Sequence, residues 1–218
     1  MKKLFLVAAA FLIGGAAYAQ TTSTVGTTKF GLKAGVNLPK YQFDNDDDSY
    51  ETESNTNFHL TGYADIPLTA GFSFQPGISL QGKGGKITNN LGEVKHDVMS
   101  IDIPVNFVGY IPAGPGSFFI GAGPYVGFAI SGKQKATGTI FGITAETERD
   151  LNFGNADNDD LKSLDFGLNG LVGYQFSSGF NLGAGYGFGL SNLIPDSEPN
   201  GTSKINNRVL SFSVGYAF

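Results

Sequence analysis

Cysteine is absent from the chain. That absence removes a disulfide framework, a thiol nucleophile, thiolate metal ligands and a lipidated N-terminal cysteine. Tryptophan is missing as well, histidine occurs twice, and charged residues make up only 15% of the sequence. With 14 basic residues against 19 acidic ones, no basic face is left for nucleic acid. Beyond the first twenty residues there is no apolar run at helical spacing. Glycine, at 32 residues, and phenylalanine, at 19, are plentiful instead. Aromatic and β-branched residues this frequent argue against disorder.

The N-terminus carries Lys2 and Lys3, then the apolar stretch from Leu4 to Ile13, small residues and the tripeptide Ala17-Tyr18-Ala19. This is the pattern of a secretory signal, too short to span a membrane as a helix, with cleavage expected between Ala19 and Gln20. The expected organisation is a signal peptide over 1–19, a short periplasmic segment over 20–28 and one domain over 29–218. Roughly 200 residues with no internal linker suit a single domain.

Period-two alternation fills that domain and predicts an all-β chain. In the stretch RVLSFSVGYAF, one face carries Leu210, Phe212, Val214, Tyr216 and Phe218, and the other carries Ser211, Ser213, Gly215 and Ala217. Similar strands read at 30–38, 58–66, 72–83, 98–110, 117–131, 164–176 and 180–190, which with the last makes eight. A soluble sandwich also alternates, with its apolar face turned into a core. Here, however, the apolar face is bulky on every strand and the opposite face is small. Glycine weakens an ordinary strand, whereas the interior of a narrow eight-stranded barrel has room for little side-chain volume. The bulky face then meets lipid.

Connections alternate in length: long at 39–57, short at 67–69, long at 84–97, short at 111–116, long at 132–163, short at 177–179 and long at 191–206. An antiparallel up-and-down transmembrane β-barrel has this rhythm, with short periplasmic turns and long outer loops, and ring closure satisfies every backbone group where there is no water. On this reading the stretch GFNLGAGYGFGL at 179–190 is a wall and not a phosphate-binding loop. A nucleotide loop needs a helix directly after it, and none follows Gly189.

The stretches FGLKAGVN at 30–37, FSFQPGISLQGKGGK at 72–86, SIDIPVNF at 100–107, FIGAGPYVGF at 119–128, DFGLNGLVGYQF at 165–176 and the terminal LSFSVGYAF resemble the PorT-like outer-membrane β-barrel family of Bacteroidetes. The resemblance covers essentially the whole chain after the signal. It implies a barrel in the outer membrane of a Gram-negative bacterium, and it implies no activity, because its motifs are wall patterns. Terminal Phe218, with Phe212, Val214 and Tyr216 before it on one face, resembles the signal by which the barrel assembly machinery recognises its clients. Tyr110, Phe118, Phe176 and Phe180 beside the short turns fit an interfacial girdle.

No enzyme and no cofactor are expected. His59 falls on the lumen face of its strand, and His96 is joined to Asp97 only by adjacency in sequence. Acidic runs at 44–53 and 155–160 fall in outer loops. Asp44, Asp46 and Asp48 have the spacing of a calcium loop, but Ser49 stands where glycine is required and Asn55 where the bidentate glutamate belongs. A solvated, mutually repelling face is the expectation there, with weak divalent-cation association at most. Lys33, Asp65, Lys83, Asp102 and Asp165 share the parity of the small, polar face, so they are expected to form an ionic network that plugs the lumen, with Lys33 near Asp65 and Lys83 near Asp102. The functional expectation is a structural or interaction barrel in contact with outer-membrane lipid and an unidentified envelope partner. The alternative is a small channel or transporter.

Overall fold

The computed structural model describes residues 26–44, 49–89, 92–140, 143–156, 158–196 and 204–218. Ala19, Gln20, Asp46 and Asp48 lie outside them.

Each lipid-parity position described above is exposed, and each lumen-parity position turns inward. Along β1 (Lys29–Asp44), Phe30, Leu32 and Val36 are exposed while Asn37 is fully buried. The same inversion of an ordinary soluble protein recurs through β3 (Asn57–Thr69), β4 (Phe72–Asn89), β5 (Gly92–Ala113), β6 (Gly116–Ile140), β8 (Leu164–Phe176), β9 (Phe180–Gly189) and β10 (Lys204–Ala217). Two short strands, β2 (Ser49–Glu51) and β7 (Ile143–Asp150), flank them. Thr61, Ser79, Asn106 and Asn181 are buried, whereas Phe58, Ile120, Leu182 and Phe212 are not. A continuous apolar exterior of this extent is stable only in lipid.

The ring strands pair with antiparallel neighbours, in the order β10-β9-β8-β6-β5-β4-β3-β1, and β10 then pairs β1 over fourteen residue pairs from Gly31↔Ala217 to Asp44↔Lys204. Eight strands therefore close a ring. β2 is added beside β1, and β7 beside β6, at one end of the ring.

The short connections are short turns, at 177–179 as expected and at 70–71 and 114–115 where 67–69 and 111–116 were expected, because β3 and β5 run further toward this end. Glycines in the left-handed region turn the chain at Gly114 (φ 58°) and Gly179 (φ 93°), where a β-carbon would be strained. At the other end the strands run on much further than the apolar pattern shows. The stretch 84–97, expected to be a loop, is ladder: Lys83↔Val98 continues without a break to Asn89↔Gly92. Outside the bilayer both faces of a strand meet water, so hydrophobic alternation fades while hydrogen bonding continues. The expected loop over 132–163 likewise contains the outer part of β6 and all of β7.

Phe118, Tyr174 and Phe176 form edge-on pairs with ring centroids 5.0 and 4.9 Å apart, and Phe176 meets Phe180 at 5.9 Å. This girdle lies at the short-turn end. Tyr110 does not belong to it. It faces inward, where its hydroxyl donates to Asp65 Oδ2 at 3.0 Å.

Candidate functional site, the filled lumen

Toward the short-turn end lies the buried carboxylate Asp65. It accepts from Gln75 Nε2 at 3.1 Å and from Tyr110 at 3.0 Å. The expected partner, Lys33, is not there. The register sets Lys33 opposite Thr61 and Asp65 opposite Lys29, so the two lumen residues are four positions apart along the ladder. Tyr63 occupies the step between them, and the Lys33 ammonium stands 5.7 Å from its ring centre. The parity argument placed both residues inside correctly, but it assumed a register that the β1–β3 ladder does not adopt.

Toward the long-loop end, Lys83 joins two carboxylates. Its Nζ lies 2.8 Å from Asp102 Oδ2 and 2.9 Å from Asp165 Oδ2, with all three side chains buried. Each acid is completed by neutral donors. Ser100 Oγ donates to Asp102 at 2.8 Å, and Ser191 Oγ, Asn207 Nδ2 and Tyr125 Oη donate to Asp165 at 2.6, 2.9 and 3.1 Å. The ammonium also stands 4.6 Å from the centre of the Tyr125 ring. A buried ion triad is tolerable only when its lone pairs are satisfied in this way.

Glycine makes room for the triad. Gly127 sits between Asp102 and Asp165 in the ladder, and a β-carbon there would lie 2.3 Å from Asp102 Oδ1 and 3.0 Å from Lys83 Nζ. The glycine wall behaves similarly elsewhere: Phe119 comes within 2.3 Å of the β-carbon position of Gly173, its direct partner on β8, and Tyr125 within 2.8 Å of that of its partner Gly167. Bulky lumen side chains of β6 lie over the glycines that face them on the neighbouring strand β8.

Above the triad, Tyr41, Val98, Leu151, Leu161 and Leu193 form a buried apolar cluster, with Phe43, Phe153 and Ile205 packed against it. Sequence reasoning missed this cap because its leucines are single apolar residues scattered through polar loops. Their recurrence in 151–193 was the available signal.

His59 Nδ1 pairs with Asn37 Oδ1 at 2.8 Å, and Asn37 Nδ2 donates to the carbonyl of Gly82 at 3.0 Å. Because Nδ2 must be the donor to that carbonyl, Oδ1 is an acceptor and the His59 proton resides on Nδ1. His96 and Asp97 form no dyad: His96 packs edge-on against Tyr41 at 5.9 Å, while Asp97 pairs with Lys95 at 3.1 Å on the other face of β5.

Among the described residues, several outer carboxylates are braced by cations, while Asp46 to Asp48 of the first acidic run lie outside the described residues. Glu51 pairs with Lys40, Glu53 with Lys86 and Glu148 with Lys133 and Lys135. Asp160 takes both Arg149 nitrogens, at 2.6 and 2.9 Å, and accepts from the Asn152 amide at 2.9 Å. The Arg149 hydrogen bonds, against a smaller effect of burial, hold Asp160 below its ordinary carboxylate range. A depressed folded-state value stabilises this clamp above the ordinary carboxylate range, and the stabilisation is lost as pH falls through the lowered value. Protection of the Asn152 amide, its exchange relative to the free-chain rate at the same pH, is expected to stay high from neutral pH down to that range and to fall below it. Arg149→Met should move the onset to higher pH, and equal exchange in both proteins would contradict the clamp.

A family model described as outer membrane protein beta-barrel domain matches residues 18–195. No curated protein sequence matches the chain. Solved structures with a similar arrangement include the attachment invasion locus protein Ail of Yersinia pestis, with 15% identity over 87% of this chain and 98% of that one and a TM-score of 0.42. Neisserial surface protein A gives 14% identity over 88% and 100%, with a TM-score of 0.43. OprG of Pseudomonas aeruginosa gives 13% over 89% and 97%, with a TM-score of 0.48.

Proposed function

This chain belongs to the outer membrane protein beta-barrel domain family, and from that premise we propose that it is a non-enzymatic structural or interaction barrel whose lumen is plugged. The observation that carries this reading is the buried layer in which Lys83 joins Asp102 and Asp165 beneath the apolar cap. A continuous water path would have to break that layer, whereas wide aqueous bores belong to barrels of about 16 to 18 strands. What remains for partners is the long-loop end, where β4, β5, β6 and β7 extend as a charged sheet.

Within the family we place the chain with the PorT-like barrels of Bacteroidetes, supported by the wall stretches quoted above. The N-terminal pattern supports export with cleavage after Ala19. The alternating aromatics up to Phe218 support recognition by the barrel assembly machinery. The long-loop end then faces outward and presents its carboxylates to an envelope or external partner.

Two measurements test this reading. Purified protein in planar bilayers is expected to give no large steady conductance, and reproducible porin-sized openings would favour a transporter. Epitope tags at 44–48 or 155–160 should be reachable on intact cells, and tags at Ser177 or Ser178 should not. The opposite labelling would reverse the orientation.

A further inference from the structure

Among the described residues, Lys33 and Lys83 border the lumen cavity, and their surroundings differ. Lys83 has two carboxylates. Lys33 has none within ion-pairing distance among the described residues, and its ammonium makes no hydrogen bond to protein there. The lumen acids are already engaged: Asp65 by Gln75 and Tyr110, and Asp102 and Asp165 by Lys83. The Tyr63 ring stands on the Asp65 side of Lys33, and His59 lies one layer further toward the long-loop end, with its proton held on Nδ1 by Asn37.

Lys33 faces a cavity of about 110 Å³. Its walls carry Thr61, Asn169, Asn181 and Ser213 beside the glycines of β9, and Lys83 and Asp102, already paired with each other, border it as well. The void exists because those glycines supply no side chains to fill it. A cation enclosed in a low-dielectric wall without a counter-charge is costly, and the cost is removed by an anion or by loss of the proton. The surrounding hydroxyl and amide groups are those that solvate a small ion.

We propose that this cavity is a binding site for a small anion, of chloride to phosphate size, with Lys33 as its counter-charge. This goes beyond the plugged-barrel reading, which needs only the Lys83 layer. At about 10–15 Å³ per water the volume has room for on the order of ten waters, enough for a small anion with solvating groups around it.

The test uses the full barrel refolded in a non-ionic detergent that carries no phosphate, so that a lipid headgroup cannot supply the anion. Unfolding temperature is followed by the shift between folded and unfolded gel bands. Sodium chloride and sodium phosphate are each compared with sodium gluconate, whose anion is bulkier than either, at matched ionic strength. A ligand of the folded state raises the unfolding temperature progressively with concentration. The wild type should show that rise with chloride or phosphate and not with gluconate. Lys33→Met should lose the anion-dependent rise while melting in gluconate no lower than the wild type. An identical response to all three salts in the wild type, or a rise that persists in Lys33→Met, would overturn the proposal. If Lys33→Met does not fold, the wild type labelled with ¹⁵N-lysine decides: the Lys33 Nζ resonance should move when chloride replaces gluconate, and a resonance that stays in place overturns the site.

Discussion

Replacing Lys83 with methionine is expected to cost about 3–5 kcal/mol of barrel stability, because it leaves two buried carboxylates facing each other with no cation between them. Asp102 and Asp165 both direct Oδ2 at the same ammonium, at 2.8 and 2.9 Å. Their other partners are neutral donors that cannot cancel a second charge. Adding Asp102→Asn and Asp165→Asn to Lys83→Met should recover most of the loss, since a neutral layer can keep its hydrogen bonds without a buried charge. Urea titration in lipid vesicles, scored by the folded gel band, measures both effects. A single variant within about 0.5 kcal/mol of the wild type, the range of substitutions that disturb no buried feature, would mean that the layer is hydrated and does not plug the lumen.

A larger effect is expected from a single methyl group at Gly35, on the strand that closes the ring. A β-carbon there would lie 1.8 Å from the carbonyl oxygen of Phe212 and 2.8 Å from His59 Cε1. The first conflict is with backbone on the partner strand β10, so relief means separating β1 from β10. Glycine inside a strand commonly marks such a close approach of two backbones. Gly35→Ala should therefore abolish the folded band, or destabilise it by more than about 4 kcal/mol, the exceptional tail for point changes. Gly170 is the matched control: it faces lipid on β8 with nothing within 4 Å of its β-carbon position. Gly170→Ala should fold as the wild type does. Equal behaviour of the two variants would show that the seam at Gly35 is looser than described.

The fold was legible in the sequence because a barrel wall in lipid must alternate, and its two faces differ in size as well as polarity. The faces of β1 and β10 follow directly from FGLKAGVN and LSFSVGYAF. Where strands leave the bilayer, that contrast ends, and the continuation of β4 and β5 through 84–97 had no hydrophobic pattern to reveal it. Parity brought Lys83, Asp102 and Asp165 to the inside. It could not give the longitudinal register that separates Lys33 from Asp65, because a shift by an even number of residues leaves every side chain on its own face. Tyr110 was misread for a related reason: its closeness to a short turn suggested the girdle, but its parity on β5 points it at Asp65. The apolar cap depends on loops folding back over the ring, and no local pattern encodes that return.

The ring closure between the first and last strands is the central claim, and the absence of cysteine allows it to be measured with one engineered pair. Leu32 and Tyr216 are direct partners across the β1–β10 seam, so their α-carbons lie within the separation that a disulfide spans. In Leu32→Cys with Tyr216→Cys, mild oxidation in isolated outer membranes should link the two ends of the chain almost completely and change the mobility of the unfolded, non-reduced band. Leu32→Cys with Phe212→Cys, four residues out of register, should not link. Absence of the bond in the first pair, or equal bonding in both, would contradict a closed barrel with this register.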